Sequence, residues 1–253
     1  MSSNNNKKNI FEELLKRSTL KIKGEADYLI LEITPEVTLA KYQNKISGFF
    51  SEIICKQNIF GDFTGIICIN DVPLILQALV KFDNPSIEIK KGTKNVFWSS
   101  TFSLQIKEGR VRANMQLSNI ELIKDIKTPS KFSTMMEIPL NNEVVDNFLK
   151  YSSLLSKENE LFTITTKDDF CIYFGESLKD SKNNIKFELD GVKVLVNPQD
   201  DELFYSIKVL QEILKLNNCL ESSLLISPES VMTLQTEDET FNTKYLIINN
   251  LRK

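Results

Sequence analysis

Apolar and polar positions divide the chain into four segments of helical period, set among segments that alternate like strands. A helix is predicted over about 9–18, with Ile10, Phe11, Leu14 and Leu15 on one face. A second, over about 71–82, has Asp71 as its N-cap and Pro73 in the first turn, where a missing N–H costs nothing. Its apolar positions are Val72, Leu76, Leu79 and Val80. A third, over about 142–155, turns Val144, Val145, Phe148, Leu149 and Ser152 inward, and a fourth, over about 203–216, does so with Leu203, Ile207, Leu210, Ile213 and Leu214. Ahead of the first helix, Met1-Ser-Ser-Asn-Asn-Asn-Lys-Lys has no apolar period and reads as a short frayed tail.

The spacing of these segments carries more information than any one of them. First to second and third to fourth helix are each about 60 residues apart, and first to third and second to fourth about 130. Strand, polar turn and strand follow each odd helix, as in the runs from Thr19 to Glu32 and from Leu161 to Phe174. An apolar strand is expected before each even helix, at 65–70 and 191–196. Alternation follows each even helix, in Ser86-Ile-Glu-Ile-Lys-Lys and in Ser223-Leu-Leu-Ile-Ser with Ser230-Val-Met-Thr-Leu-Gln. Two copies of a helix–strands–helix–strands unit are therefore predicted, an α+β duplication over 1–118 and 136–253. The stretch between, 119–135, is long for a connector in a compact domain, and its Ile120, Leu122, Ile123 and Ile126 must dock on something.

Composition removes most chemistry. The 253 residues contain no histidine, which excludes Ser/His and Cys/His triads, His general bases and imidazole-dependent zinc sites. Cys55, Cys68, Cys171 and Cys219 are scattered without a CxxC pair, so a disulfide framework or cysteine-rich metal site is not expected; Cys68 and Cys171 lie in apolar runs as small buried thiols. No phosphate-binding GxxxxGK[ST], dinucleotide GxGxxG, HExxH or EF-hand pattern occurs. The acid clusters Asp168-Asp169, Asp200-Asp201-Glu202 and Glu237-Asp238-Glu239 fall between strands or before a helix, as solvated turn acids do. The chain is expected to be no enzyme and to need no cofactor. No membrane span or secretory signal is visible, so an intracellular protein is expected.

A net charge of −3 rules out a generic basic nucleic-acid binder; any DNA contact must come from a local basic surface. Lysines and amides do recur on the polar faces of the helices: Gln77 and Lys81; Asn147, Lys150 and Lys157; Lys208, Gln211 and Lys215. Lys16 and Arg17 follow Glu12 and Glu13 by four residues, where local pairing competes for them. Taken singly each lysine is an ordinary solvated residue; the recurrence on equivalent helices is the signal. Trp98 and Phe97 fit core or a subunit contact better than a base-stacking platform.

Several stretches resemble the DNA sliding clamps of the PCNA and bacteriophage type. Met136-Glu-Ile-Pro-Leu-Asn-Asn-Glu-Val-Val-Asp-Asn-Phe-Leu-Lys resembles the strand-then-helix opening of the clamps' second domain. Leu220-Glu-Ser-Ser-Leu-Leu-Ile-Ser, a second alternating strand and Thr243-Lys-Tyr-Leu-Ile-Ile-Asn resemble the clamp C-terminus, and Gly61-Asp-Phe-Thr-Gly-Ile-Ile-Cys-Ile-Asn-Asp resembles the entry to the second helix. The first domain departs most over about 96–114. The resemblance implies a DNA-clamp fold: two duplicated domains, each with two helices packed on antiparallel sheet, closing head to tail as a homotrimeric ring around double-stranded DNA. It implies a processivity factor that tethers a replicative DNA polymerase, is opened by a clamp-loader ATPase, and works in the cytoplasm of a bacterial host if phage-encoded. On that resemblance Lys16, Arg17, Gln77, Lys81, Lys150, Lys157, Lys208, Gln211 and Lys215 face DNA. Ile120, Leu122, Ile123, Ile126, Ile248 and Asn249 line a pocket for partner peptides. Three other readings stay open: a β-rich structural or assembly protein with a duplicated domain, an acid-dependent hydrolase using the scattered carboxylates, and a clamp relative serving transcription or repair.

Overall fold

The computed structural model describes residues 2–20, 28–44, 48–91, 102–118, 132–155, 160–166, 169–174 and 185–249. The first half runs α1 (Ser2–Thr19), β1 (Leu29–Ile33), β2 (Thr38–Asn44), β3 (Phe49–Cys55), β4 (Gly65–Ile69), α2 (Val72–Val80), β5 (Ser86–Lys91), β6 (Phe102–Glu108) and β7 (Val111–Gln116). The second runs β8 (Met136–Pro139), α3 (Asn142–Leu155), β9 (Leu161–Thr165), β10 (Cys171–Phe174), β11 (Ile185–Glu188), β12 (Lys193–Val194), β13 (Glu202–Ser206), α4 (Ile207–Leu216), β14 (Ser223–Ile226), β15 (Val231–Glu237) and β16 (Phe241–Ile248). Apart from β8 and the two-residue β12, both halves read helix, four strands, helix, three strands. The compact units exchange short segments: one comprises Met1–Gln43, Ser51–Thr128 and Glu237–Thr243, the other Asn44–Phe50, Pro129–Thr236 and Lys244–Lys253.

Strand pairing repeats the duplication. In the first unit β4, β1, β2 and β3 are successive neighbours, and in the second β13, β9, β10 and β11 are, the same order with the fourth strand beside the first. The registers match as well. Leu31 sits between Ala40 and Ile67, and Ile164 between Ile172 and Leu203, all six buried. β5, β6 and β7 form a meander whose hairpin turns at Gly109, held at φ 56°, a conformation glycine adopts without strain. In the second unit β14 and β15 take the corresponding places, with β8 and then β12 beyond β14.

Each helix pair docks through a few large side chains. α1 lies beside α2, and Phe11 meets Phe60 edge to face with centroids 5.3 Å apart. α3 lies beside α4, and Phe148 of α3 packs edge to face on Phe162 at 5.0 Å and against Phe174 at 5.3 Å. Burying one such ring contributes about 1.5–3 kcal/mol relative to leaving it in water. The buried set of α1 (Ile10, Phe11, Leu14, Leu15) and the span of α3 agree with the periodicity.

Four details differ. α1 begins at Ser2 rather than near residue 9, so the polar N-terminal residues extend the helix instead of fraying. α4 begins at Ile207: residues 202–206 alternate in burial and pair with β9, and the Ser206 hydroxyl then caps the helix at Val209 N–H. The strand before α4 is therefore β13, whereas 191–196 yields only β12, with Leu195 and Val196 exposed. On α2 the buried stripe is Val72, Ile75 and Leu79, and Val80 is 67% exposed, because a short, mostly apolar helix lying on one sheet cannot bury all of its sides.

Asp71 caps α2 as expected, its Oδ1 accepting Leu74 N–H at 2.9 Å. Asp71→Ala is expected to lower unfolding stability by about 1 kcal/mol, read as a lower urea midpoint at unchanged slope.

Candidate nucleic-acid interface

In the second unit α3 and α4 are fixed in register by a hydrogen bond from Gln211 Nε2 to Ser152 Oγ at 3.2 Å. Gln211 is thereby half-buried and engaged, while Lys208 and Lys215, three positions before it and four after, stand exposed on the same side. Lys215 meets Glu212 at 3.3 Å, an exposed pair of small energetic weight. Lys150 of α3 is exposed, with its ammonium 5.2 Å from the Tyr151 ring centroid. The same helix also exposes Glu143 and Asp146, so this face is sparsely rather than densely cationic.

In the first unit Gln77 and Lys81 lie exposed one turn apart at the end of α2. Lys8 of α1 donates from Nζ to the Phe82 carbonyl at 2.6 Å, tying the two helices at the C-terminal end of α2, where a cation is favoured. Among the described residues neither Lys81 nor Lys208 forms an ion pair. Their ammonium groups are mobile point charges on flexible stems, able to meet phosphates without the fixed fork of arginine.

Lys16 and Arg17 are differently placed. Lys16 pairs with Glu12 at 2.5 Å. Arg17 is 7% exposed, ion-paired to Glu13 and, at 2.7 Å, to Asp238, with its guanidinium 4.7 Å from the Phe241 ring centroid. It is a buried tie within the first unit and is not available to a phosphate, a correction to its assignment from sequence. Lys157, Phe97 and Trp98 lie outside the described residues.

Of the expected peptide pocket, Ile248 is 50% exposed, and Ile120, Leu122, Ile123 and Ile126 lie outside the described residues. Asn249 is engaged internally, its Oδ1 accepting Phe204 N–H at 2.9 Å and its N–H reaching Ser230 O at 3.2 Å. The end of the connector is held on its own sheet by a bond from Met135 N–H to Ile226 O at 2.7 Å. Beside it, Phe132 and Thr134 with Leu225, Gln235 and Lys244 line a cavity of about 230 Å³.

All four cysteines are buried with free thiols. Burial pushes the thiol of Cys55 up to about 11 and that of Cys68 to about 12, the reverse of an activated thiolate. Native protein at pH 8 is accordingly expected to leave Ellman's reagent unconsumed at these thiols for minutes, with four equivalents released on unfolding in urea. Among the described residues no group of three or more Cys, Asp or Glu is placed to hold a metal ion, and no helix is long and apolar enough to cross a membrane.

The whole architecture has close counterparts among solved structures. The PCNA of A. fulgidus, solved with the C-terminal region of FEN-1 bound, superposes with a TM-score of 0.65 at 13% identity, covering 96% of this chain and 97% of its own. The PCNA of Entamoeba histolytica gives 0.63 at 14%, covering 96% of each chain. The fold is that of the DNA sliding clamps. An H. pylori beta clamp, solved with 5-chloroisatin, agrees at 0.65 and 16% identity over 97% of this chain and 62% of its own. In sequence the chain is 28% identical over 125 residues to an L-cysteine desulfidase of Methanocaldococcus jannaschii, a match covering 49% of this chain and spanning 30% of that curated protein. No family model matches.

Proposed function

We propose that the chain is a sliding clamp: a ring subunit that encircles double-stranded DNA, holds a replicative DNA polymerase to it, and carries out no chemistry of its own. The observation that carries this is the repetition of the helix pair. α2, α3 and α4, in two units of one clamp-like fold, present Lys81, Lys150, Lys208 and Lys215 to solvent on otherwise mild surfaces. Sparse mobile charge suits a protein that must stay near phosphates and keep moving along them. Gln77 supports the same face, Gln211 fixes its geometry, and Lys157 continues it in sequence. The repeats 1–118 and 136–253, joined by 119–135, are its two clamp domains.

Ring closure follows from strand edges. Lys56 N–H donates to Thr240 O at 2.9 Å in the first unit, and Ile248 N–H donates to Gly48 O at 2.8 Å in the second, so β16 runs along β3. The corresponding strands β7 and β11 are both edges among the described strands. Open edges of this kind associate with other chains unless they are covered. We therefore propose that β7 of one copy adds to β11 of the next, a head-to-tail contact that closes after three copies and six domains. A clamp-loader ATPase opens such a ring, consistent with a sequence that has no phosphate-binding loop of its own. Partner peptides of the polymerase are proposed to dock at the cavity beside Phe132, and in sequence Ile120, Leu122, Ile123, Ile126 and Ile248 are the apolar residues proposed to meet them; the A. fulgidus PCNA is itself solved with a region of another protein bound. In an infected bacterial cell the same protein would serve a phage polymerase.

Light scattering on a sizing column tests the ring. Three copies of 29.0 kDa, about 87 kDa, are expected at high protein concentration and moderate salt. A stable species of about 58 kDa would overturn the trimer, because two copies supply four domains of the six.

A further inference from the structure

The connector between the repeats ends at Met135, and two unlike partners grip that residue. On one side its N–H donates to Ile226 O of β14 at 2.7 Å, and Ile226, Leu224 and Met136 there are fully buried. On the other side its carbonyl accepts two donors at once, Leu195 N–H at 2.8 Å and Val196 N–H at 3.2 Å. Those donors belong to the stretch 190–201, which crosses from β11 to β13. It pairs with β8 only through the two residues of β12, Lys193↔Glu137 and Val194↔Met136.

This stretch is tied at both ends and weakly held in its middle. The buried Leu189 donates its N–H to Phe170 O at 2.9 Å just before it. At the far end Thr166 donates its N–H to Asp201 O at 3.0 Å and its hydroxyl to Asp200 O. Gly191, at φ 72°, turns the chain from the first tie toward β8 without strain. No residue from 190 to 201 is buried, and Val194, Leu195 and Val196 are exposed although apolar. Side chains left in water add almost nothing to the apolar burial that holds an element in place. What remains is the pair of bonds to Met135 O, the short ladder, and an ion pair of Lys193 with Glu137 at 3.6 Å, its lysine side chain 68% exposed. An exposed pair of that kind has small weight. Segments with few buried contacts and water-exposed backbone hydrogen bonds open far more readily than the whole domain unfolds.

We propose that residues 190–201 form a latch that opens from β8 on its own and, when open, loosens the Met135 end of the connector. Phe132 and Thr134, just before Met135, line the cavity of about 230 Å³, so the latch sets how firmly that wall is held. The latch needs no DNA and no partner, and it stands or falls apart from the clamp reading.

Native-state hydrogen exchange of the full chain across low urea concentrations reads the latch. The Leu195 and Val196 amides are expected to be about a hundredfold or more less protected than those of β9, a strand paired on both sides, and to exchange at rates that low urea leaves unchanged. The Met135 amide is expected to follow them rather than β9. Leu195→Pro/Val196→Pro removes both donors at exposed positions. With folding checked by circular dichroism, it is expected to speed Met135 exchange about tenfold or more and to leave β9 unchanged. Glu137→Cys/Lys193→Cys places a disulfide between directly opposed residues, whose Cα atoms lie about 4.5–5.5 Å apart in an antiparallel pair. Oxidised, it is expected to slow exchange at Met135, Leu195 and Val196 about tenfold or more, and reduction is expected to reverse this. Latch amides as protected as those of β9, or Met135 exchange unchanged in the double proline variant or in the oxidised cysteine variant, would overturn the proposal.

Discussion

Replacing Lys81, Lys150, Lys208 and Lys215 by alanine is expected to leave the fold intact and to shorten the products of tethered synthesis on a primed circular template at least tenfold. All four side chains are exposed, and the one ion pair they form among the described residues, Lys215 with Glu212, is itself exposed, so their removal leaves core packing undisturbed. In a trimer the change removes twelve positive charges, four from each of three copies, from the surfaces assigned to DNA. Every phosphate left without its lysine makes the dependence of log K on log salt shallower by about 0.9, so three such phosphates reduce that slope by about 2.7. Binding to nicked circular DNA across a potassium chloride series measures it. Arginine at the same four positions separates charge from chemistry. The guanidinium keeps the charge but grips phosphate through two parallel N–H groups, so retention on DNA is expected to persist while travel along it slows. Normal processivity in the alanine variant would remove the helix faces as the DNA surface, whatever the oligomeric state.

Much of this architecture was legible because its signals are local. The inward face of α1 and the limits of α3 follow from side chains three and four residues apart. The duplication follows from the spacing of the helices alone, which needs no strand pairing. Errors arose where two patterns overlap. Leu203 and Ile207 are four apart and mimic a helical stripe, yet Leu203 and Tyr205 form one face of β13, and only the pairing with β9 decides between them. The start of α1 gave no sign because Asn4, Asn5 and Asn6 have low helix propensity and no apolar period. Asp238 looked like a solvated turn acid; its partner Arg17 lies 221 residues earlier, a distance no local pattern spans.

Removing the Arg17–Asp238 tie is expected to lower the stability of the first unit. Asp238 serves two purposes within the first unit. Its Oδ1 accepts Thr240 N–H at 2.8 Å and Phe241 N–H at 2.7 Å, closing the turn before β16, and its Oδ2 accepts Arg17 Nη1 at 2.7 Å. Lys56 reinforces the same turn by donating to Glu237 at 2.6 Å and to the Asp238 carbonyl at 2.7 Å. The Arg17 side chain is 9% exposed, whereas those of Asp238 and Glu13 are 35% and 47% exposed. Arg17→Ala therefore leaves two carboxylates that water can reach, and the expected loss is about 2–3 kcal/mol, below the 3–5 kcal/mol typical of breaking a fully buried pair. Arg17→Lys is not expected to restore it, since one ammonium cannot replace a fork that reaches both acids and lies over Phe241. Acid supplies an independent check. Burial alone would raise the Asp238 carboxyl, but the Phe241 and Thr240 amides and Arg17 outweigh it and hold it below its ordinary value. A depressed carboxyl contributes its full stabilisation above the unfolded-state value near pH 4 and loses it as pH falls through the lower folded value. The urea midpoints of the native protein and Arg17→Ala are thus expected to differ at pH 7 and to converge below about pH 4. Equal midpoints at pH 7 would show that α1 is held by its apolar face alone, and that the turn before β16 needs only its own amides.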